Sequence, residues 1–236
     1  MKMESPRVLQ ILPALESGGV EKATIDWAKI LSQRGPTFVT SAGGNLVKAL
    51  EASGVTHLTL PLDKKSPWAL WSNAKALCQV IKENNIQLVH ARSRAPAWSA
   101  LWAAQRMKVP FITTYHGVYN SHNRLKRFYN SVMARGDRVI AISHYVAEHI
   151  FQHHGYLNPK VVVIPEGIDT DIFDPKKVSD DEVDCLKKHW CIPPKSFLIL
   201  LPGRLTRWKG QQILVSALKQ LIDLPVHVVF LGSDQG

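Results

Sequence analysis

Cysteine is scarce in this chain, with only Cys78, Cys185 and Cys191. An odd number without C-x-x-C spacing argues against a disulfide framework or a zinc site, and fits a reducing cytosol. Long apolar runs are also missing. None reaches the roughly 18 residues that a membrane-spanning helix needs. The first apolar run, Val8 to Leu15, is interrupted by Gln10 and Pro13 and has no small-residue cleavage site of the usual form after it, so a secretory leader is not expected. Acids are few, 19 Asp and Glu against 29 Lys and Arg, which leaves a net charge of +10. A positive field favours anionic partners, among them nucleotide phosphates, acidic lipid and nucleic acid. The sequence has no internal repeat and no low-complexity tract. It carries neither a G-x-G-x-x-G fingerprint nor a Walker P-loop. Its tryptophans are scattered along the chain and form no base-stacking platform, and no nucleic-acid motif accompanies them.

The 236 residues suffice for one large domain, or for one domain and part of another. Short apolar runs alternate with longer helical patterns. Strands are expected at Arg7 to Leu12, Thr37 to Ser41, Thr56 to Leu60, Gln87 to His90, Pro110 to Tyr115, Arg138 to Ser143 and Lys160 to Pro165. Between them lie helical spacings at Val20 to Arg34, Asn45 to Ser53, Pro67 to Asn84, Pro96 to Met107, His122 to Arg135 and Tyr145 to His154. In the first helix Ile25, Ala28 and Leu31 are the expected inward positions. Such alternation predicts βαβ units and a parallel sheet covered on both faces. Ligands of such sheets bind beyond the carboxyl ends of the strands. The expected division is an N-terminal Rossmann-like domain over 1–165, a connection over 166–195 rich in Asp, Lys and Pro, and the start of a second Rossmann-like domain over 196–236. That last part offers one strand–helix–strand unit, Phe197 to Pro202, Gln211 to Leu221 and Val226 to Leu231. A single unit of this kind cannot bury its own faces.

Several loops could carry chemistry. Ser17-Gly18-Gly19-Val20-Glu21 lies between the first strand and helix, where glycines admit a ligand and free helix N–H groups attract anions. A plain turn would look the same. His90-Ala91-Arg92 and Tyr115-His116-Gly117 end two other strands. Such a histidine can orient a hydroxyl or donate to a phosphate, though a structural histidine is the commoner case. Gly203-Arg204-Leu205-Thr206-Arg207-Trp208-Lys209-Gly210 joins a strand to a helix and resembles a diphosphate clamp, with a solvated basic turn as the alternative. Asp169-Thr170-Asp171 is a D-x-D triplet, which in some nucleotide-sugar enzymes holds a divalent cation. Acid pairs in turns are common, so no metal is expected here. Between His90 and Val139 nine Lys or Arg face one acid, Asp137. Within that stretch Leu125, Phe128, Tyr129, Val132 and Met133 share a helical stripe flanked by Arg124, Lys126 and Arg127. The stripe reads first as core-facing, with peripheral contact to an acidic membrane as the alternative.

Taken together, the glycine turn at Gly18-Gly19, His90-Ala91-Arg92, Tyr115-His116-Gly117, Val139-Ile140-Ala141-Ile142-Ser143, Ile164-Pro165-Glu166-Gly167-Ile168-Asp169 and Gly203-Arg204 to Lys209-Gly210 resemble glycosyltransferase family 4, the retaining GT-B enzymes. The resemblance spans nearly the whole chain and implies two facing Rossmann-like domains with a cleft between them. It implies transfer of a sugar from a nucleotide-sugar donor to a hydroxyl of a saccharide or glycolipid acceptor, with retention, in envelope polysaccharide or glycolipid assembly. It assigns His116 as the catalytic cleft histidine. Arg204 and Lys209 would hold the donor diphosphate, with Gly18 and Gly19 facing it. Glu21, His90 and Arg92 are further cleft or acceptor candidates. No metal and no cofactor beyond the donor are implied, and no nucleic-acid partner. The place expected is cytoplasmic, with peripheral contact at the inner face of the cell membrane as an alternative. The family's paired glutamates of the second domain are not reached before Gly236, so the chain is expected to be truncated within that domain. A catalytically incomplete fragment that binds an anion or a partner is one alternative. A GT-B-fold nucleotide-sugar epimerase is the other.

Overall fold

The computed structural model describes residues 5–120 and 122–232. The chain separates into two compact units, Met1–Gly167 and Ile168–Gly236. The connection expected over 166–195 therefore falls in the second unit, apart from its first two residues.

The first unit alternates strands and helices throughout: β1 (Val8–Ile11), α1 (Gly19–Ser32), β2 (Thr37–Ser41), α2 (Val47–Glu51), β3 (Thr56–Thr59), α3 (Pro67–Glu83), β4 (Leu88–Ala91), α4 (Arg94–Met107), β5 (Phe111–Tyr115), α5 (Arg124–Asn130), β6 (Arg138–Ala141), α6 (His144–His154) and β7 (Val161–Val163). The strands form one sheet in the order β3-β2-β1-β4-β5-β6-β7, and every pairing is parallel. Parallel strands are buried on both faces, so their sequences run apolar without alternation. In β1 all four residues are buried. One face packs Leu9, Phe38, Leu77, Ala100 and Ile150 into the main core. The other packs Val39 against Ala28 of α1 and Leu50 of α2. Each buried leucine contributes about 1.5–3 kcal/mol of transfer free energy. On the α1 side, Ile112, Ile140 and Ile164 line an open groove of about 200 Å³ beside Trp27 and Leu31.

Helix starts follow from side-chain capping. Ser66, Asn123 and Ser143 accept hydrogen bonds from the backbone N–H groups of Ala69, Lys126 and Val146. Each satisfies a donor that the first turn leaves open. In α1 the inward residues are Thr24 and Ala28, whereas Ile25 and Leu31 are only half-buried. The Thr24 hydroxyl donates to the Val20 carbonyl at 2.7 Å, and this bond lets a polar residue take an inward place.

The helix expected over His122 to Arg135 is shorter than its pattern. It is α-helical only over Arg124–Asn130 and tightens into a 3-10 turn at Ser131–Ala134. The stripe it carried divides: Val132 and Met133 are fully buried, while Leu125 and Phe128 are exposed. The Ser131 hydroxyl donates to the Phe128 carbonyl at 2.6 Å where the helix changes pitch. Four of the tryptophans lie in pairs along two helices, Trp68 with Trp71 and Trp98 with Trp102. Trp68 meets Trp71 edge-on at 6.4 Å in α3, and Trp98 of α4 stacks on Phe128 at 5.2 Å.

The second unit holds α7 (Asp180–His189), β8 (Phe197–Pro202), α8 (Gln211–Ala217) and β9 (Val226–Leu231). Helix α7 starts on a complete capping box between Ser179 and Glu182. Strands β8 and β9 pair in parallel as a two-stranded sheet.

Candidate active site

Strand order in the first sheet reverses between β1 and β4, which places a ligand crevice at the carboxyl ends of these strands. The sequence-expected residues of the first unit lie on that edge: Gly18, Arg92 and His116 in loops, His90 near the end of β4, and Gly19 and Glu21 in the first turn of α1. The loops after β1 and β4 are tied together by the Arg92 N–H, which donates to the Ile11 carbonyl at 2.9 Å. Gly18 directly precedes α1, and Glu21 lies in the helix's first turn. The Glu21 carboxylate folds back so closely that a Cβ on Gly18 would collide with it.

Three pairs of side chains cross the strand ends. His90 Nε2 shares a hydrogen bond of 2.7 Å with Thr114 Oγ1. Arg92 Nη1 donates to Gln10 Oε1 at 3.4 Å. His116 Nδ1 meets Glu166 Oε1 at 2.6 Å. Gln10, His90, Arg92 and Thr114 are all buried. Burial pushes the His90 imidazole well below its ordinary range, and Arg92 and His116 push it the same way. The Arg92 guanidinium is lowered to about 10 by burial, against the pull of Glu166, so it remains a cation at neutral pH. His116 is lowered to about 4, by burial first and by the Arg92 charge second, with Glu166 opposing both. It is therefore a neutral ring at neutral pH. A carboxylate only accepts, so the ring's proton belongs on Nδ1. Buried polar atoms almost always find partners. Here Gln10 Nε2, Arg92 Nε and His116 Nε2 have none. A fixed cation, a neutral imidazole and unpaired polar atoms at strand ends suit an anionic or hydroxyl-bearing ligand.

The second unit holds the other candidate residues. Gly203 and Gly210 bracket the turn after β8 at φ of +150° and +85°, a region where a side chain would be strained. Between them Arg207–Lys209 forms a 3-10 turn. Lys209 folds back across Gly203, where its Cδ would stand 3.6 Å from an added Cβ. The Arg204 carbonyl accepts from Gln211 Nε2 at 3.1 Å, which ties the turn to the start of α8. Arg204 and Lys209 thus share one turn at a strand end, ahead of a helix N-terminus. Asp169 and Asp171 lie apart from this turn in the chain. Asp169 Oδ1 accepts from the N–H groups of Asp171 and Ile172, so that oxygen serves a local turn.

Gln10, Thr114 and Glu166 were not singled out by the sequence reading. Glu166 appeared there only within the Ile164 to Asp169 motif. Its contact with His116 spans 50 residues. The usable signal was topological: β7 pairs with β6, which pairs with β5, so the loops after β7 and β5 return to the same edge.

A parallel α/β unit whose strand order reverses beside its polar cluster is a doubly wound, Rossmann-like fold. The profile of Glycosyltransferase Family 4 matches residues 17–172, and the chain belongs to that family. A glycosyltransferase of Rickettsia africae superposes with a TM-score of 0.81 at 38% identity, over 96% of this chain and 60% of that one. Anabaena HepE, solved with UDP and glucose, superposes with a TM-score of 0.77 at 22% identity, over 96% of this chain and 61% of that one. The fold is of GT-B type. A D-inositol 3-phosphate glycosyltransferase of Xylanimonas cellulosilytica is 28% identical over 162 residues, which cover 63% of this chain and 39% of that protein. One from Nocardiopsis dassonvillei is 23% identical over 88% of this chain and 53% of its own length. The chain thus spans about half the length of these curated relatives.

Proposed function

We propose that this chain forms the acceptor-side unit and part of the donor-side unit of a retaining glycosyltransferase that uses a nucleotide sugar. The bond from the anomeric carbon to the donor phosphate breaks, a bond to an acceptor oxygen forms, and a nucleoside diphosphate leaves. The observation that carries this reading is the turn from Gly203 to Gly210, which places Arg204 and Lys209 after a strand and before a helix. Arg suits a bidentate grip on phosphate and Lys adds a point charge. The solved complex of HepE with UDP-glucose supports a diphosphate sugar as the donor. In this reading His116 lies near the transferred sugar, and Gly18 and Gly19 face the diphosphate. No metal takes part, so chelation with EDTA leaves turnover unchanged.

On the first unit a hollow of about 520 Å³ is lined by residues after β1, β3, β4 and β5, including Pro13, Lys65, Ser93 and Asn120. We assign the acceptor to it. The test is titration of UDP into the full-length gene product by calorimetry. Arg204→Ala and Lys209→Ala each weaken binding by about 1.5–3 kcal/mol, the worth of a charge-assisted hydrogen bond. Unchanged affinity removes the clamp. Product analysis covers the remaining option, because an epimerase would convert the donor with no acceptor present.

The acceptor is assigned to envelope polysaccharide or glycolipid assembly at the cytoplasmic face of the membrane. Two surface features support this. Trp68 is 80% exposed and Trp71 lies beside it, with Lys75 Nζ 3.5 Å above the Trp71 ring. Leu125 and Phe128 are exposed among Arg124, Lys126 and Arg127. Aromatic side chains rimmed by cations bind acidic interfaces. No described helix is long and apolar enough to cross a membrane, so contact would be peripheral. Co-sedimentation with vesicles containing phosphatidylglycerol is expected at low salt and lost at high salt; absence of binding at low salt ends this part of the reading.

A further inference from the structure

Among the polar groups of the first unit, Glu166 stands out because it contacts a buried histidine from the far end of the sheet. The His116 side chain is 9% exposed and that of Glu166 is 37% exposed, so the carboxylate is the only wet member of the pair. The Arg92 charge acts on both: it depresses His116, while Glu166 helps hold Arg92 in its charged form. One carboxylate therefore answers two neighbours at once, a buried cation and an imidazole. Glu166 is the acid whose charge offsets the burial of Arg92. The ring's other nitrogen, His116 Nε2, is enclosed and has no protein partner.

An imidazole has two tautomers, and its environment selects one. The short bond at Nδ1 selects the tautomer that leaves a lone pair on Nε2. A ring held this way accepts a hydrogen bond at Nε2 and does not donate one. We propose that Glu166 is a positioning residue, which fixes the place and the Nδ1–H tautomer of His116 and so keeps the ring's lone pair on the enclosed Nε2. The effect on turnover rests on the glycosyltransferase reading, whereas the tautomer does not. The pair also explains why an acid stands in the last residues of the first unit, which ends at Gly167.

The test is long-range proton–nitrogen NMR of the chain labelled with 15N-histidine, with the His116 signals assigned through His116→Gln. The wild type is expected to show a single Nδ1–H tautomer. Glu166→Gln keeps an acceptor oxygen and should retain it. Glu166→Ala should give a mixture of tautomers or the Nε2–H form. Melting curves of both variants verify folding, and Glu166→Gln is informative even where Glu166→Ala unfolds. In the full-length gene product with UDP-glucose as donor probe, Glu166→Ala should lower kcat about 100-fold, the scale of a misplaced reacting group, with KM nearly constant. Glu166→Gln should recover most of that loss. An Nε2–H tautomer in the wild type, or a tautomer indifferent to Glu166→Ala, overturns the proposal. So does a lost tautomer with unchanged kcat. If UDP leaves the amide signals of Arg204 and Lys209 unmoved, the donor reading fails while the tautomer result stands by itself.

Discussion

The two units are made from the same strand and helix vocabulary, yet they differ in what they can bury. In the first, Leu9, Ile11 and Val89 have no exposed surface, and two clusters fill both faces of the sheet. In the second, no described residue is buried. Phe197 of β8 is 64% exposed and Ile213 of α8 is 75% exposed. The apolar content of the strands does not account for this, since β8 reads FLILLP and is as apolar as β1. What differs is the number of neighbours. Seven parallel strands give inner strands a partner on each side and helices to pack against, whereas two strands leave every strand at an edge. Hydrophobic sequence becomes core only where the topology supplies a second layer.

Core substitutions give the sharpest way to break this comparison. Leu9→Ala should cost about 2–5 kcal/mol in urea unfolding, as for a large side chain removed from a filled site. Leu200→Ala, in a strand whose residue is 43% exposed, should cost well under half of that. Equal losses would mean that the second unit has a core of comparable quality. Acidification should give the next effect, and it falls on the first unit. Burial, with Arg127 adding to it, lowers His154 to about 4, and burial lowers His116 to about 4. Unfolded histidines take up protons near 6.5. Between these values the unfolded chain binds more protons, so stability falls as the pH drops from about 6.5 to about 4. Above that window these groups have no influence. Thermal melting at about pH 7 and about pH 4.5 measures it, and a flat profile would remove the buried neutral histidines from the account.

Much of the first unit was legible in the sequence because apolar runs and glycine turns report local structure directly. All of its strands and helices appear at the expected places with their ends moved by a few residues. The helix after β5 is the exception. Its apolar spacing continues past Asn130, but the backbone tightens to a 3-10 turn there. Periodicity does not distinguish these two pitches over four residues. Of the candidate site, residues at strand ends were readable one loop at a time: His90, Arg92 and His116 on the first unit, Arg204 and Lys209 on the second. Pairings were not readable. Gln10 with Arg92, and Glu166 with His116, join residues 82 and 50 positions apart, and only strand order brings them together.

Strand order also sets a sequence of events during synthesis. The sheet's three central strands, β1, β4 and β5, are all present once the ribosome has passed Tyr115, and β7, one of its two edge strands, follows at Val161. Domains form as units with the N-terminal one first. Glu166 is the second-last residue of its unit, so its bond to His116 can close only after every strand of the sheet has been synthesised. Until then Arg92 lacks its compensating carboxylate and His116 lacks its orienting partner. A chain ending before Glu166 would carry every strand of the sheet and still lack the partner that orients His116.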